Sequence, residues 1–405
     1  MILLRACLGL VFLMMAAVTG QAANRPFPFH TVYTAGVIKP DHISQAQMDQ
    51  AVRQHYAAWK VKYLRNLGGE YWVKYDGSNS TVSEAHGYGM VLTAYMGDRA
   101  IFDSMLRYFK AHPSKLTANL MAWKQTLKNG RMADIEGGDS ATDGDLDVAY
   151  ALLLADTQWR SLGAIDYKAE ALAVLRAALK AEVNGATLTL KLGDWATGAD
   201  ANLTRPSDFM SGHMLAFARA DAANRNTWLA IHAKIAAIVN FQFAHGSAKT
   251  GLMPDFMERQ GADFVPAVGK VLETRHDGDY SYNACRTPWR LAMSHIADGN
   301  TTMLAPLRKQ AAWIKTISLG DPSRIKAGYY VRNGVNGKAY VNYSDLPFTA
   351  PFAVVAMLGG PKGQGFLNTM WDSITGDDFG IGTDYYGDSI RLQVLLTVSG
   401  NWWSP

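Results

Sequence analysis

The chain has 405 residues, 48% of them hydrophobic and 18% charged, with a formal net charge of +4. That length buries a sizeable core, and the composition excludes a disordered chain, a collagen-like repeat and a disulfide-stapled scaffold. So small a net charge also argues against nucleic acid as the main partner. The 11 Trp and 18 Tyr are the informative excess. Flat aromatic faces serve a large helical core or line a cleft that binds polysaccharide, and composition alone favours the core.

Residues 1–22 carry Arg5, an apolar run from Cys7 to Val18, and small residues around Gly20 and Ala22. This is the layout of a signal peptide, with an apolar segment too short to span a bilayer comfortably. A protein exported to the periplasm or the extracellular space is expected, with no membrane association after cleavage. Cleavage would leave Cys285 as the lone cysteine, so no intramolecular disulfide stabilises the remainder.

From there helical spacing dominates. Met48, Ala51, Val52, Tyr56 and Trp59 recur mostly three and four apart. So do Val148, Ala151, Leu152 and Ala155, then Ala171, Leu175 and Leu179, then Trp228, Ile231, Ile235 and Ile238. Polar breaks such as Asp76-Gly77-Ser78-Asn79, Glu136-Gly137-Gly138-Asp139 and Gly359-Gly360-Pro361-Lys362-Gly363 separate these segments. Residues 186–192 form one short strand candidate. No Pro/Ser-rich linker divides the chain, so residues 23–405 read as one all-α domain of helical hairpins closed into a ring; periodicity alone also allows an open helical solenoid, against which stands the lack of a sharp repeat motif. The connecting loops would gather function at one end.

Acids cluster beside glycines and hydroxyl residues. Glu84, after Ser83 and ahead of an apolar run, fits a helix-start acid or a general acid of raised pKa. Asp143, Asp145 and Asp147 crowd five residues, where mutual repulsion would raise their pKa values. The spacing resembles the opening of a calcium loop, but the later ligands of such a loop are absent. Glu273, Asp277 and Asp279 supply three more acids. A glycosidic bond is hydrolysed by two carboxyl groups, one protonating the leaving oxygen and one acting on water or carbon. His86, His213 and His276 lack metal-ligand spacing and read as structural, so neither a metal nor another cofactor is implied.

These blocks resemble glycoside hydrolase family 8. Ala141-Thr142-Asp143-Gly144-Asp145-Leu146-Asp147-Val148-Ala149, running on to Ala155 and Trp159, is similar to the family signature, with Val148 where Ile or Met is usual. Ser83-Glu84 with Gly87-Tyr88-Gly89-Met90, the block Asn283-Ala284-Cys285-Arg286-Thr287-Pro288-Trp289-Arg290, and the ending from Tyr385-Tyr386-Gly387-Asp388 to Gly400-Asn401-Trp402-Trp403 also match, in order. The resemblance implies an (α/α)6 barrel with a cleft across its helix N-termini and an inverting mechanism on β-1,4-linked glycans. By position it implies Glu84 as general acid, Asp143 at the centre of the cleft, Arg286 close by, and Trp123 and Trp195 as stacking platforms. Tyr88, Asp208 and Asp279 complete the expected substrate contacts.

One position departs. Many members carry the general base as Asp where this chain has Asn283, and an amide cannot take a proton at neutral pH. A branch with chitosanases and lichenases has Asn there and a Glu on the preceding loop, and Thr204-Arg205-Pro206-Ser207-Asp208-Phe209-Met210 is similar to that branch. Glu273 is therefore expected as the base, with Asp277 and Asp279 in reserve. Inversion calls for about 6.5–9.5 Å between the carboxyls of acid and base, to leave room for water. A monomeric endo-glucanase acting on cellulose or mixed-linkage β-glucan is the reading. A chitosanase or xylanase of the same family, or a catalytically weak glycan-binding protein, is the alternative.

Overall fold

Two kinds of helix alternate along the chain, and their apolar residues distinguish them. In the computed structural model, which describes residues 23–332, 334–376 and 384–405, the outer helices are α1 (Gln45–Tyr63), α3 (Arg99–Ala111), α5 (Tyr167–Ala181), α7 (Arg225–His245), α9 (Leu304–Ile317) and α11 (Gln364–Thr375). Each buries one stripe, as α3 does with Phe102, Met105, Leu106 and Phe109. The inner helices are α2 (Ser83–Met96), α4 (Thr142–Trp159), α6 (Ser211–Ala220), α8 (Thr287–Asp298), α10 (Leu346–Ala356) and α12 (Tyr385–Val398). These are buried on nearly every side; every residue of α10 is enclosed. The export segment expected over residues 1–22 lies outside the described residues.

Each inner helix packs against the next, from α2 through α4, α6, α8 and α10 to α12, and α12 returns to α2. The outer helices pack around this closed ring, giving an (α/α)6 barrel. Local signals agree with it: Ser44 and Gln47 form a capping box at α1, and Asp384 accepts the Gly387 N–H at the start of α12. Eight Trp residues, at positions 59, 72, 159, 228, 289, 371, 402 and 403, are buried, so the core absorbs most of the aromatic excess.

The strand expected over residues 186–192 shrinks to Thr189–Leu190, paired with Val183–Asn184. Residues 185–188 form the intervening turn, with Leu188 at φ 57°. The other short antiparallel strands lie in connections, including Ser80–Val82 and Lys124–Lys128 just ahead of α2 and α4.

A buried ion pair ties three inner helices together. Asp147 of α4 accepts from Arg290 Nη1 of α8 at 2.9 Å and Nη2 at 2.5 Å, and from His213 Nε2 of α6 at 2.9 Å. Burial alone would raise the Asp147 carboxyl; the Arg290 charge and the His213 bond outweigh it and hold it below the usual carboxylate range. Burial also lowers His213 to about 4, so at pH 7 it is a neutral donor. Asp147→Asn strands the Arg290 charge in the barrel and should lower unfolding stability by about 3–5 kcal/mol, read as a smaller urea midpoint. Because the folded carboxyl titrates below its unfolded value, the contribution is present above the ordinary Asp range. It is lost as pH falls through the folded value, so the stability gap between wild type and variant should close in acid.

Candidate active site

The six inner helices begin at one end of the barrel, and the acids expected from the sequence sit at two of those starts. Glu84 lies in the first turn of α2 and Asp143 in the first turn of α4. The two helices meet backbone to backbone. A Cβ at Gly144 would lie 2.5 Å from Ser83 Oγ, and one at Gly87 would lie 2.8 Å from Asp147 Cβ. Only glycine permits this approach, which carries Glu84 and Asp143 to the same cation.

That cation is Arg286, buried just before α8. Its Nη1 lies 2.5 Å from Glu84 Oε2, 2.9 Å from Asp143 Oδ2 and 3.3 Å from Tyr88 Oη. Its Nη2 donates to Ser207 Oγ at 2.9 Å and Asn283 Oδ1 at 3.0 Å. A second guanidinium, Arg205, stands 3.0 Å from Asp143 Oδ1 and donates from Nε to Asp208 Oδ1 at 3.0 Å. Tyr385 Oη donates to Glu84 Oε1.

The electrostatics separate these carboxyls. Burial lifts Glu84 to about 7, aided by the Asp143 charge and opposed by Arg286, the Tyr385 hydrogen bond and Arg205. Burial acts on Asp143 too, but Arg205 and Arg286 overcome it and hold that carboxyl far below the usual range. Asp208 is lifted to about 6 by burial despite Arg205. At neutral pH the site therefore holds Asp143 as a carboxylate beside Glu84, an acid able to carry a proton.

The opposite wall descends from the loop before α8. Glu273 is exposed and its Oε2 accepts from Asn283 Nδ2 at 2.9 Å. Glu84, Arg286, Asn283 and Glu273 thus form one continuous relay. Asp255 Oδ1 accepts the N–H groups of Ser281 at 2.9 Å and Ala284 at 2.6 Å, fixing the turn that presents Asn283. Burial raises that carboxyl to about 8.

Both reserve candidates for the base are buried. Asp277 is closed in by four backbone N–H groups from residues 271–274. Asp279 is paired with His276 Nδ1 at 3.0 Å and Arg332 Nη2 at 2.9 Å. Neither can reach a water in the cleft. The expected sugar contacts change likewise: Tyr88, Asp208 and Asp279 have no exposed surface, and touch Arg286, Arg205 and Arg332 instead.

Trp123 and Trp195 are half-buried beside the two acidic helix starts. The Trp123 carbonyl accepts the Ser83 N–H at 2.8 Å, one residue before Glu84. Its indole Nε1 donates to Glu136 O at 3.1 Å, and Lys124 Nζ lies 5.3 Å from the ring centre. The Trp195 loop is tied to the approach to α4: Leu192 O accepts Thr142 N at 3.2 Å, and Asp194 Oδ1 accepts Ser140 N at 2.8 Å.

The crowding expected of Asp143, Asp145 and Asp147 does not arise, because helix geometry turns them apart. Asp143 faces Arg286, and Asp147 faces Arg290. Asp145 accepts the Met121 N–H at 2.9 Å and pairs with Glu182. Burial raises both members of that pair, Glu182 to about 8. Divergent side chains cannot share a calcium ion. His86 is enclosed with Nε2 on Met105 O at 3.0 Å, a structural residue. Three site residues escaped the sequence reading, Arg205, Ser207 and Tyr385. Each lies inside a block quoted for its resemblance, which was the available signal.

The sequence model for glycosyl hydrolases family 8 matches residues 26–400. A β-glucanase of Niallia circulans is 43% identical over 403 residues, 98% of this chain and 95% of that one. An endoglucanase of Bacillus sp. (strain KSM-330) is 34% identical over 399 residues, covering 94% and 82%. The apo structure of a β-1,3-1,4-glucanase from Paenibacillus sp. X4 superposes with a TM-score of 0.89 at 42% identity, covering 95% of this chain and 100% of that one. Barrel, ordered motifs and similarity along nearly the whole length agree: the chain belongs to glycosyl hydrolase family 8 and is a glycoside hydrolase.

Proposed function

We propose that the protein, exported by residues 1–22, cleaves internal β-1,4 bonds of neutral β-glucans, cellulose or mixed-linkage glucan, with inversion at the anomeric carbon. Residues 23–405 act as one catalytic domain and as a monomer, with water as the only co-substrate. The carrying observation is the relay from Glu84 through Arg286 and Asn283 to Glu273, with a half-buried acid at one end and an exposed carboxyl at the other. The names of the Niallia and Paenibacillus relatives support glucan.

In this mechanism Glu84 gives its proton to the glycosidic oxygen as the bond to the anomeric carbon breaks. Glu273 takes a proton from a water that attacks that carbon from the opposite face. One product leaves with a new hydroxyl, the other as a hemiacetal of inverted configuration; Glu273 then releases its proton to solvent and solvent returns one to Glu84, which resets both groups. Asp143, ionised between two guanidinium groups, supplies negative charge where the oxocarbenium character develops. Tyr88, Ser207 and Asp208 act through the arginines they touch, while Trp123 and Trp195 stack against flanking sugars.

Reducing-end assays on mixed-linkage glucan, carboxymethylcellulose, xylan and chitosan in parallel should give the highest kcat/KM on one of the two glucans. A preference for chitosan or xylan overturns the substrate assignment, and binding without any product overturns hydrolysis. Anomeric NMR of the first products should show the α-hemiacetal; the β-anomer would exclude inversion.

The raised Glu84 pKa has a sign in the rate. The acid acts only when protonated, so kcat/KM should fall tenfold per pH unit once the pH passes about 7. Glu84→Gln should lower kcat by about 10²–10⁴-fold and remove that alkaline limb. Full activity in the variant would reject the acid. Trp123→Ala should raise KM severalfold with little change in kcat, the signature of lost ground-state binding.

A further inference from the structure

Asp277 lies four residues beyond Glu273 and is fully buried. Its Oδ2 accepts the backbone N–H groups of Val271 at 2.8 Å, Leu272 at 2.8 Å and Glu273 at 3.1 Å. Its Oδ1 accepts that of Thr274 at 2.7 Å. Four successive amides converge on one carboxylate, an arrangement of backbone dipoles that stabilises negative charge. Leu272, Glu273 and Thr274 are themselves exposed, so their packing gives little to hold them in place.

Asp277, in contrast, is anchored. Its carbonyl accepts the Phe256 N–H at 2.7 Å, and the next residue, Gly278, lies so close to the neighbouring chain that a Cβ would sit 2.0 Å from Ala267 O. Phe256 and Ala267 belong to a small apolar cluster with Leu192, against which Val271 and Trp195 pack. A fixed carboxylate therefore sets the backbone path of a loop whose outer residues are exposed to solvent.

We propose that Asp277 is the positioning residue for the catalytic base: residues 271–274 wrap around its carboxylate, which holds Glu273 against Asn283 facing the attacking water. The proposal rests on Glu273 being that base. Asp277 exchanges no proton with substrate and touches none. Its work is geometric, and displacing a base by about 1 Å can cost on the order of 10²-fold in rate. An Asn at the same site keeps the shape but offers one acceptor oxygen in place of two, and turns an NH2 toward the amides.

The test is a double-variant cycle on soluble mixed-linkage glucan, using E273A, D277N and E273A/D277N. E273A should lose most of kcat. D277N should lower kcat about 10²-fold with KM within about twofold of wild type. The double variant should be no slower than E273A alone, because a displaced base and an absent one are equivalent once the base is gone. A second variant guards against misfolding: one glycine inserted between the exposed Thr274 and Arg275 leaves both carboxyls in place but breaks their spacing. It should reproduce the loss of kcat while the protein still unfolds in one cooperative transition in urea. E273A that retains its kcat overturns the base assignment, and this role with it. If E273A is inactive, the positioning role alone is overturned by D277N with wild-type kcat or by either of two further results. One is a double variant slower than E273A by the full D277N factor; the other is an insertion variant with wild-type kcat.

Discussion

A guanidinium buried at the mouth of a barrel cannot be satisfied by water, and Arg286 dictates much of what surrounds it. Its charge has to be matched, which brings Glu84 and Asp143 to the same nitrogen, and its remaining N–H groups require Ser207 and Asn283. Each partner comes from a different stretch of chain. The cation therefore registers α2, α4, the segment before α6 and the approach to α8 against one another. The same contact opposes the ionisation penalty that burial imposes on Glu84, leaving the acid near neutrality.

This arrangement depends on how closely α2 and α4 approach. With side chains at positions 87 and 144 the helices would stand apart, and Glu84 could not share a cation with Asp143. Deeper in the ring, Asp147, His213 and Arg290 repeat the design without a role at the surface. Burial is common to both clusters, but their outcomes differ. The deep one is closed and balanced, whereas the upper one leaves Glu84 partly exposed and able to exchange a proton. On another face of α4 the Asp145–Glu182 pair retains a proton and joins α4 to the end of α5.

Much of the site was legible because catalytic chemistry restricts residue type at short spacing. Glu84, Asp143, Arg286 and the substitution at Asn283 each stood inside a recognisable block. The acids of the Glu273 loop were less legible. Sequence treats Glu273, Asp277 and Asp279 as neighbours of equal standing, but the chain folds one outward and two inward. Asp277 is surrounded by the amides of its own loop and Asp279 by a histidine and an arginine. Tyr88 is enclosed in the same way: an aromatic four residues from the expected general acid reads as a sugar contact, and the fold buries it against Arg286.

The sequence by itself determined a helical class of fold, through the recurrence of helical stripes broken by polar loops, and the chemistry, through carboxylate blocks that resemble those of glycoside hydrolase family 8. Helix period and residue type are local properties, and local properties survive in a string of letters. Only the tertiary structure decided which acids keep a proton, which are spent on backbone amides, and which of 11 Trp face outward. Those outcomes depend on desolvation and on the nearest opposite charge. Both are set by residues far away in the chain, as Arg286 and Tyr385 are from Glu84, at 202 and 301 positions.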